Sequence, residues 1–162
     1  FTQQYQPAVC NSNPTPCKDP PDELFTVHGL WPSNNGPDPK KCKATALNSH
    51  KIQNMTAQLE INWPNVLNRS DLLGFWEREW IKHGTCGYPT IQDYMCYLKP
   101  VVKMHKTQNL KVPAILSNGT IQPNGTNRPL LNIENARHRG TNNTNPKFKC
   151  QKNTRTTTGL VG

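Results

Sequence analysis

No apolar run in this 162-residue chain approaches the roughly 20 residues that a membrane-spanning helix needs, so a soluble protein is expected. Hydrophobic residues are also scarce, at 33%. Four Trp, four Tyr and four Phe, gathered in runs such as FTVHGLW and LLGFWEREWI, nevertheless supply buried surface that a disordered chain would lack. The six cysteines (Cys10, Cys17, Cys42, Cys86, Cys96, Cys150) contain no C-x-x-C pair, which disfavours a zinc ribbon or a redox dithiol and favours disulfides in a secreted protein. A signal peptide is missing too: the opening FTQQYQPAVC is polar, and its loss by processing or truncation is expected. No internal repeat or long low-complexity tract interrupts a length suited to one domain.

Acidic residues are rare in the second part. Residues 97–162 carry one Asp/Glu against 11 Lys/Arg, whereas residues 1–96 carry nine against eight, and the whole chain has a net charge of +9. Such a field attracts polyanions, whether RNA, acidic polysaccharide or anionic membrane, and salt weakens the attraction. The same charge would equally keep a secreted protein soluble. Five N-x-S/T sequons, at Asn54, Asn68, Asn118, Asn124 and Asn142, exceed the ~2.5 that 19 Asn and 21 Ser/Thr give by chance, and N-glycosylation is expected at some of them.

Residues 11–23 (NSNPTPCKDPPDE) read as a surface loop stapled by Cys10 and Cys17. LFTVHGLWP alternates Phe25 and Val27 with Thr26 and His28, which predicts a strand with His28 on its polar face, ending at Gly29 and Pro32. Residues 33–43 are a polar loop without core residues. Ile52, Met55, Leu59 and Trp63 predict a helix that Pro64 stops. Ser70 or Asp71 caps a second helix through LLGFWEREWIKH, closed by Gly84. Ile91, Tyr94, Met95, Leu98 and Val102 suggest a third helix, interrupted or ended near Pro100. Residues 118–145 read as loop around a short helical stretch, LLNIENARHR, and KFKCQK reads as an edge strand.

Chemistry gathers in FWEREWIKHGTC, residues 75–86. On a helix Glu79, Lys82 and His83 share one face, beside a stripe formed by Trp76 and Trp80. His83 can serve as a base, although a helix C-terminus and a nearby carboxylate both favour its protonated form. Glu79 and Lys82 then supply a carboxylate and a cation where a pentacoordinate phosphate would develop charge. His28 is the best second titratable group for two-step proton transfer, and Cys42 and Cys86, each following one of the histidines, could tie the two segments together. Taken singly, these residues also fit a hydrogen-bonded strand histidine and a solvated helix face. A zinc reading of His83-x-x-Cys86 lacks further ligands at useful spacing. His50, His105 and His138 sit among polar residues and read as surface histidines, while Phe75, at the edge of the aromatic stripe, could stack on a base.

The segments FTVHGLWPSNNG and FWEREWIKHGTC, in this order and about fifty residues apart, resemble the two active-site segments of the T2 ribonuclease family. The likeness extends to FTQQYQPAVC and WPNVL. In its opening, in IQPNG and in its basic, sequon-rich character the chain is most similar to the self-incompatibility ribonucleases (S-RNases) of apple and pear type in the rose family. The resemblance implies one α+β domain over residues 1–162, with a central antiparallel sheet, flanking helices and disulfide staples, truncated at both ends. It implies an endoribonuclease that uses no metal or other cofactor, with RNA and not DNA as its substrate.

By the same resemblance His83 is the general base, His28 the general acid, and Glu79 and Lys82 stabilise the transition state. Gln4, Asn65, Leu67 and Phe75 match residues lining a base pocket, and Trp31 follows the first catalytic segment. Pro64, Asn65 and Val66 read equally well as a helix stop with ordinary packing. Arg78 stands where many members carry histidine, so a phosphate contact there would come from a cation that does not titrate. Cys96 matches no disulfide of the family, and Cys150 is expected to pair beyond residue 162. The resemblance further implies secretion in the pistil with uptake into the pollen-tube cytoplasm, recognition by pollen F-box proteins, through a surface such as residues 33–51, and a monomer. A general plant ribonuclease of defence or phosphate scavenging, and a recognition protein with weak catalysis, are the competing readings.

Overall fold

The computed structural model describes residues 1–34, 36–42 and 52–108. Strand β1 (Thr2–Tyr5) leads directly into helix α1 (Gln6–Ser12), and strand β2 (Phe25–Gly29) returns antiparallel to β1. The register pairs Tyr5 with Phe25, Gln4 with Thr26 and Gln3 with Val27, with an irregularity between Thr2 and Gln3. A 3₁₀ turn (Gln53–Met55) opens helix α2 (Thr56–Asn62), helix α3 spans Leu72–Lys82, and helix α4 spans Tyr94–Gln108. The result is an α+β arrangement, with helices packed against an antiparallel strand pair and disulfides joining Cys10 to Cys17 and Cys42 to Cys86.

The core explains the order of the elements. Val27 of β2, Leu59 and Trp63 from the α2 region, Trp76 and Trp80 of α3, and Tyr97, Leu98 and Val101 of α4 form one buried cluster. Burying several such aromatic side chains contributes about 1.5–3 kcal/mol each relative to leaving them exposed, which favours this convergence over the polar propensities of the loops. Indole hydrogen bonds add direction: Trp76 Nε1 donates to the Trp63 carbonyl at 2.9 Å, and Trp63 Nε1 donates to the His28 carbonyl at 3.1 Å. This relay ties α3 to the end of α2 and then to β2.

Several expectations are corrected. Thr26 is buried along with Val27, so β2 alternates cleanly only at His28 and Gly29. Helices α2 and α4 both contact β2, and Thr26 and Val27 are covered. Helix α1 extends over Asn11 and Ser12, the first residues of the expected loop 11–23, with Pro7 in its first turn, where a missing N–H costs nothing. Asp71 precedes α3 but makes no capping bond, because its carboxylate turns to Arg78 at 2.6 Å. That ion pair lies across Gly74, whose missing side chain leaves room for it. Pro100 does not end α4: it is exposed, so the helix loses one amide donor on its solvent side while Tyr97, Leu98, Val101 and Val102 continue the buried stripe.

His105 is likewise no surface residue. It is 4% exposed, with Nδ1 2.8 Å from Asn62 Oδ1 and Nε2 3.2 Å from the Phe25 carbonyl. His50, His138, Cys150, the sequons at Asn118, Asn124 and Asn142, the LLNIENARHR and KFKCQK segments and most of the basic second part lie outside the described residues.

Candidate active site

The site forms where the C-terminal end of β2 faces the C-terminal end of α3. His28 is exposed on β2 while its carbonyl is held by Trp63, so the ring is presented to solvent from a fixed backbone. His83 follows the last residue of α3; its backbone N–H closes the helix on the Glu79 carbonyl at 3.0 Å, and its carbonyl accepts from Cys86 N at 3.0 Å. The imidazole is 6% exposed. Glu79 is half-buried one turn earlier, and Lys82 is exposed beside it.

Trp31 joins these groups. Its ring centroid lies 5.0 Å from that of His28, edge to face, and 5.3 Å from that of His83. Its Nε1 donates to Glu79 Oε2 at 3.2 Å. A side chain at Gly29 would collide with the Trp31 indole and reach within 2.8 Å of Glu79 Oε2, so glycine is required there by close approach. From below, Tyr97 OH donates to the Leu30 carbonyl at 2.9 Å and fixes the segment between Gly29 and Trp31. Burial, with the Glu79 charge adding to it, holds the Tyr97 phenol far above its ordinary range, so it stays a neutral donor.

The loop of residues 36–42 closes the far side. Lys41 N donates to the Lys82 carbonyl at 2.9 Å, Thr85 Oγ1 lies 3.2 Å from the Cys42 carbonyl, and Cys42 is bonded to Cys86. That bond removes the Cys86 thiolate that a zinc site with His83 would have needed. Among the described residues no three His, Cys, Asp or Glu side chains are grouped to hold a metal.

His83 is shifted below the ordinary histidine range. Burial is the largest cause, Lys82, Lys40 and His28 push the same way, and Asp38 opposes them. The helix-end and carboxylate effects expected to favour the imidazolium are therefore outweighed by desolvation and by three cationic or titratable neighbours. Glu79 is shifted upward by burial, while the Trp31 hydrogen bond, Lys82 and Arg78 act to keep it ionised. Asp38 and Lys40 were not singled out from the sequence: a polar loop gives no periodic signal, and only the staple to Cys86 brings it to His83.

The other predicted positions are distributed around this centre. Gln4 lies on β1, its Nε2 donating to the Val27 carbonyl at 3.3 Å. Asn65 is buried, donating to the Asp71 carbonyl at 3.0 Å and accepting from Asn68 N at 3.3 Å. Leu67, in the same loop, is exposed. Phe75 packs edge to face on Trp63 with centroids 6.0 Å apart, one turn before Glu79 on α3. Arg78 is exposed, with Nη2 paired to Asp71 Oδ2, so a phosphate contact from it would use its remaining N–H donors or exchange that partner. Of the sequons within the described residues, Asn54 is exposed, and the Asn68 amide oxygen accepts from Ser70 Oγ at 2.7 Å.

Two histidines and a carboxylate are thus gathered on one indole. The family model for the Ribonuclease T2 family matches residues 1–161, and the chain belongs to that family as a T2-type endoribonuclease. Among its relatives, Ribonuclease S-1 of Pyrus pyrifolia is 79% identical over 162 residues, covering 99% of this chain and 71% of the relative. The crystal structure of Japanese pear S3-RNase superimposes with a TM-score of 0.79 at 54% identity, covering 93% of this chain and 75% of that one. RNase NT in complex with 5′-AMP gives a TM-score of 0.77 at 30% identity, covering 94% and 76% respectively.

Proposed function

We propose that the protein cleaves single-stranded RNA by two-histidine transesterification, with His83 as general base and His28 as general acid. The observation that carries this reading is the contact of both imidazoles with Trp31, whose indole is hydrogen-bonded to Glu79. The depressed proton affinity of His83 leaves it neutral near pH 7, as a base must be. It takes the proton of the ribose 2′-OH, and the 2′-oxygen attacks phosphorus. The P–O5′ bond breaks as the His28 imidazolium gives its proton to the leaving 5′-oxygen, and a 2′,3′-cyclic phosphate forms. Hydrolysis reverses the roles: His28 deprotonates water, the P–O2′ bond breaks, and His83 returns its proton to the 2′-oxygen, leaving a 3′-phosphate. Lys82 and the Glu79 carboxylate, held by Trp31, flank the charge that builds on the pentacoordinate phosphorus. DNA has no 2′-OH and therefore no nucleophile. No step calls for a metal.

Gln4, Asn65, Leu67 and Phe75 are assigned to base binding, with Trp31 and Arg78 at the edge of the phosphate site. The biological assignment is a secreted, N-glycosylated pistil S-RNase that enters pollen tubes and is read there by F-box proteins; it is supported by the high identity to a Pyrus pyrifolia S-ribonuclease. The chemistry is tested by incubating a short RNA and its DNA counterpart with the complete protein in EDTA and resolving the products. Cyclic phosphate should appear from RNA alone, and His83→Ala and His28→Ala should each lower kcat about 10²–10⁴-fold. Cleavage surviving both substitutions would remove the mechanism.

A further inference from the structure

We propose that Arg69 is a positioning residue for base recognition, joining the loop that carries Asn65 and Leu67 to the β1–α1 segment that carries Gln4. This rests on the reading of those three residues as base contacts. Arg69 has two separate attachments. Its backbone N–H donates to Asp19 Oδ2 at 2.9 Å, and its Nη2 donates to Asp22 Oδ2 at 2.6 Å and to Gln6 Oε1 at 3.2 Å.

Gln6 is 1% exposed and lies two residues beyond Gln4; its Oε1 also accepts from Asp22 N at 2.9 Å, and its backbone N–H donates to the Leu24 carbonyl. A buried amide oxygen shared by a guanidinium and a backbone N–H is a fixed point, unlike an exposed ion pair, which alone contributes little. On the other side, Lys18 N donates to the Leu67 carbonyl at 3.0 Å. Residues 18–22 therefore form a bridge, stapled to α1 by Cys10–Cys17, with one foot on Leu67 and Arg69 and the other on Gln6.

Within the loop, Asn65 accepts from Asn68 N and donates to the Asp71 carbonyl, so residues 65–71 move as one turn. The turn carries Leu67 outward and the start of α3 inward. Arg69 is the side chain that ties this turn to Gln6, the residue at which β1 passes into α1. Without it, the turn stays tied to residues 18–22 by the Lys18 N bond to the Leu67 carbonyl and by the Arg69 N bond to the Asp19 carboxylate, and loses its direct hold on Gln6. The nucleobase would then meet a wider pocket, while His28, His83 and Glu79, held by Trp63, the helix end and Trp31, would keep their places.

Arg69→Gln and, separately, Asp22→Asn in the complete protein are to be assayed with four dinucleoside phosphates that differ only in the 3′ base. Both variants should compress the spread of kcat/KM among the four by about fivefold or more, through KM, with kcat on the best substrate within about twofold of the parent. Arg69→Lys should restore part of the spread, since it keeps a cation opposite Asp22. Asp22→Asn preserves shape and carries the test if Arg69→Gln fails to fold. An unchanged spread in folded variants, whatever their melting temperature, overturns the proposal and leaves Arg69 a purely structural tie. Leu67→Ala serves as the reference: if it compresses the spread while the Arg69 and Asp22 variants do not, only the positioning role fails. If Leu67→Ala also leaves the spread unchanged, the base-pocket reading fails with it.

Discussion

A methyl group at position 29 would meet the Trp31 indole and crowd Glu79 Oε2, so Gly29→Ala disturbs a side chain that touches both histidines. The expected outcome is a fall of about 10–100-fold in kcat/KM for RNA with retained far-UV circular dichroism, since a misplacement of about 1 Å at a reacting centre has that scale of effect. An unaltered kcat/KM would mean that Trp31 does not hold Glu79 in the working enzyme. Which residues could be read from the sequence follows from distance along the chain. Glu79, Lys82 and His83 lie within five positions on a strongly periodic segment, so the helical repeat alone placed them together. Trp31 bonds to a residue 48 positions away and His105 to carbonyl or amide oxygens 43 and 80 positions away, and no local pattern encodes such pairings. His105 stands among Met104, Lys106 and Thr107, which gives no hint that it is buried.

At the level of elements, α4 shows how burial outweighs a local breaker. Pro100 argued for an end, but the apolar residues on either side pack on β2 and α2, and the proline falls on the face where water can satisfy the freed carbonyl. His105 then pins the last turns of this helix to both neighbours, through Phe25 of β2 and Asn62 of α2. Burial pushes its proton affinity below the ordinary histidine value, with the Phe25 carbonyl acting the other way. The unfolded chain therefore binds a proton that the folded state resists. Stability from this residue is complete above the unfolded value of about 6.5 and is lost as pH falls through the lower folded one. Chemical denaturation at pH 7 and pH 5 should show lower stability at pH 5, and His105→Gln should lessen the difference while lowering stability at pH 7. His83, shifted in the same direction, contributes to the remainder.

For the whole molecule, the charge is divided between an acid-containing first part and a second part with one acidic residue against 11 basic ones. A polyanionic substrate is attracted by that surplus, and its binding releases counterions. If about three phosphates of a bound single strand are neutralised, log(kcat/KM) should fall with log salt at a slope near −2, measured on an oligonucleotide at subsaturating concentration. A dinucleoside phosphate, with one charge, should show a much shallower slope. Equal slopes would mean that the surplus positive charge does not track the RNA strand.

The covalent tie between Cys42 and Cys86 has one more consequence. It helps to hold the loop bearing Lys40 and Asp38 near His83, so the proton affinity of that imidazole depends in part on a bond that two electrons can open. In a thiol-rich medium the loop would keep only its hydrogen bonds to Lys82 and Thr85, and Lys40 and Asp38 would be held less firmly near His83, while Lys82 stays beside it and its own peptide stays closed on Glu79. A change from an oxidising to a reducing medium would then reach His83 as a slow retuning, at the rate of thiol exchange.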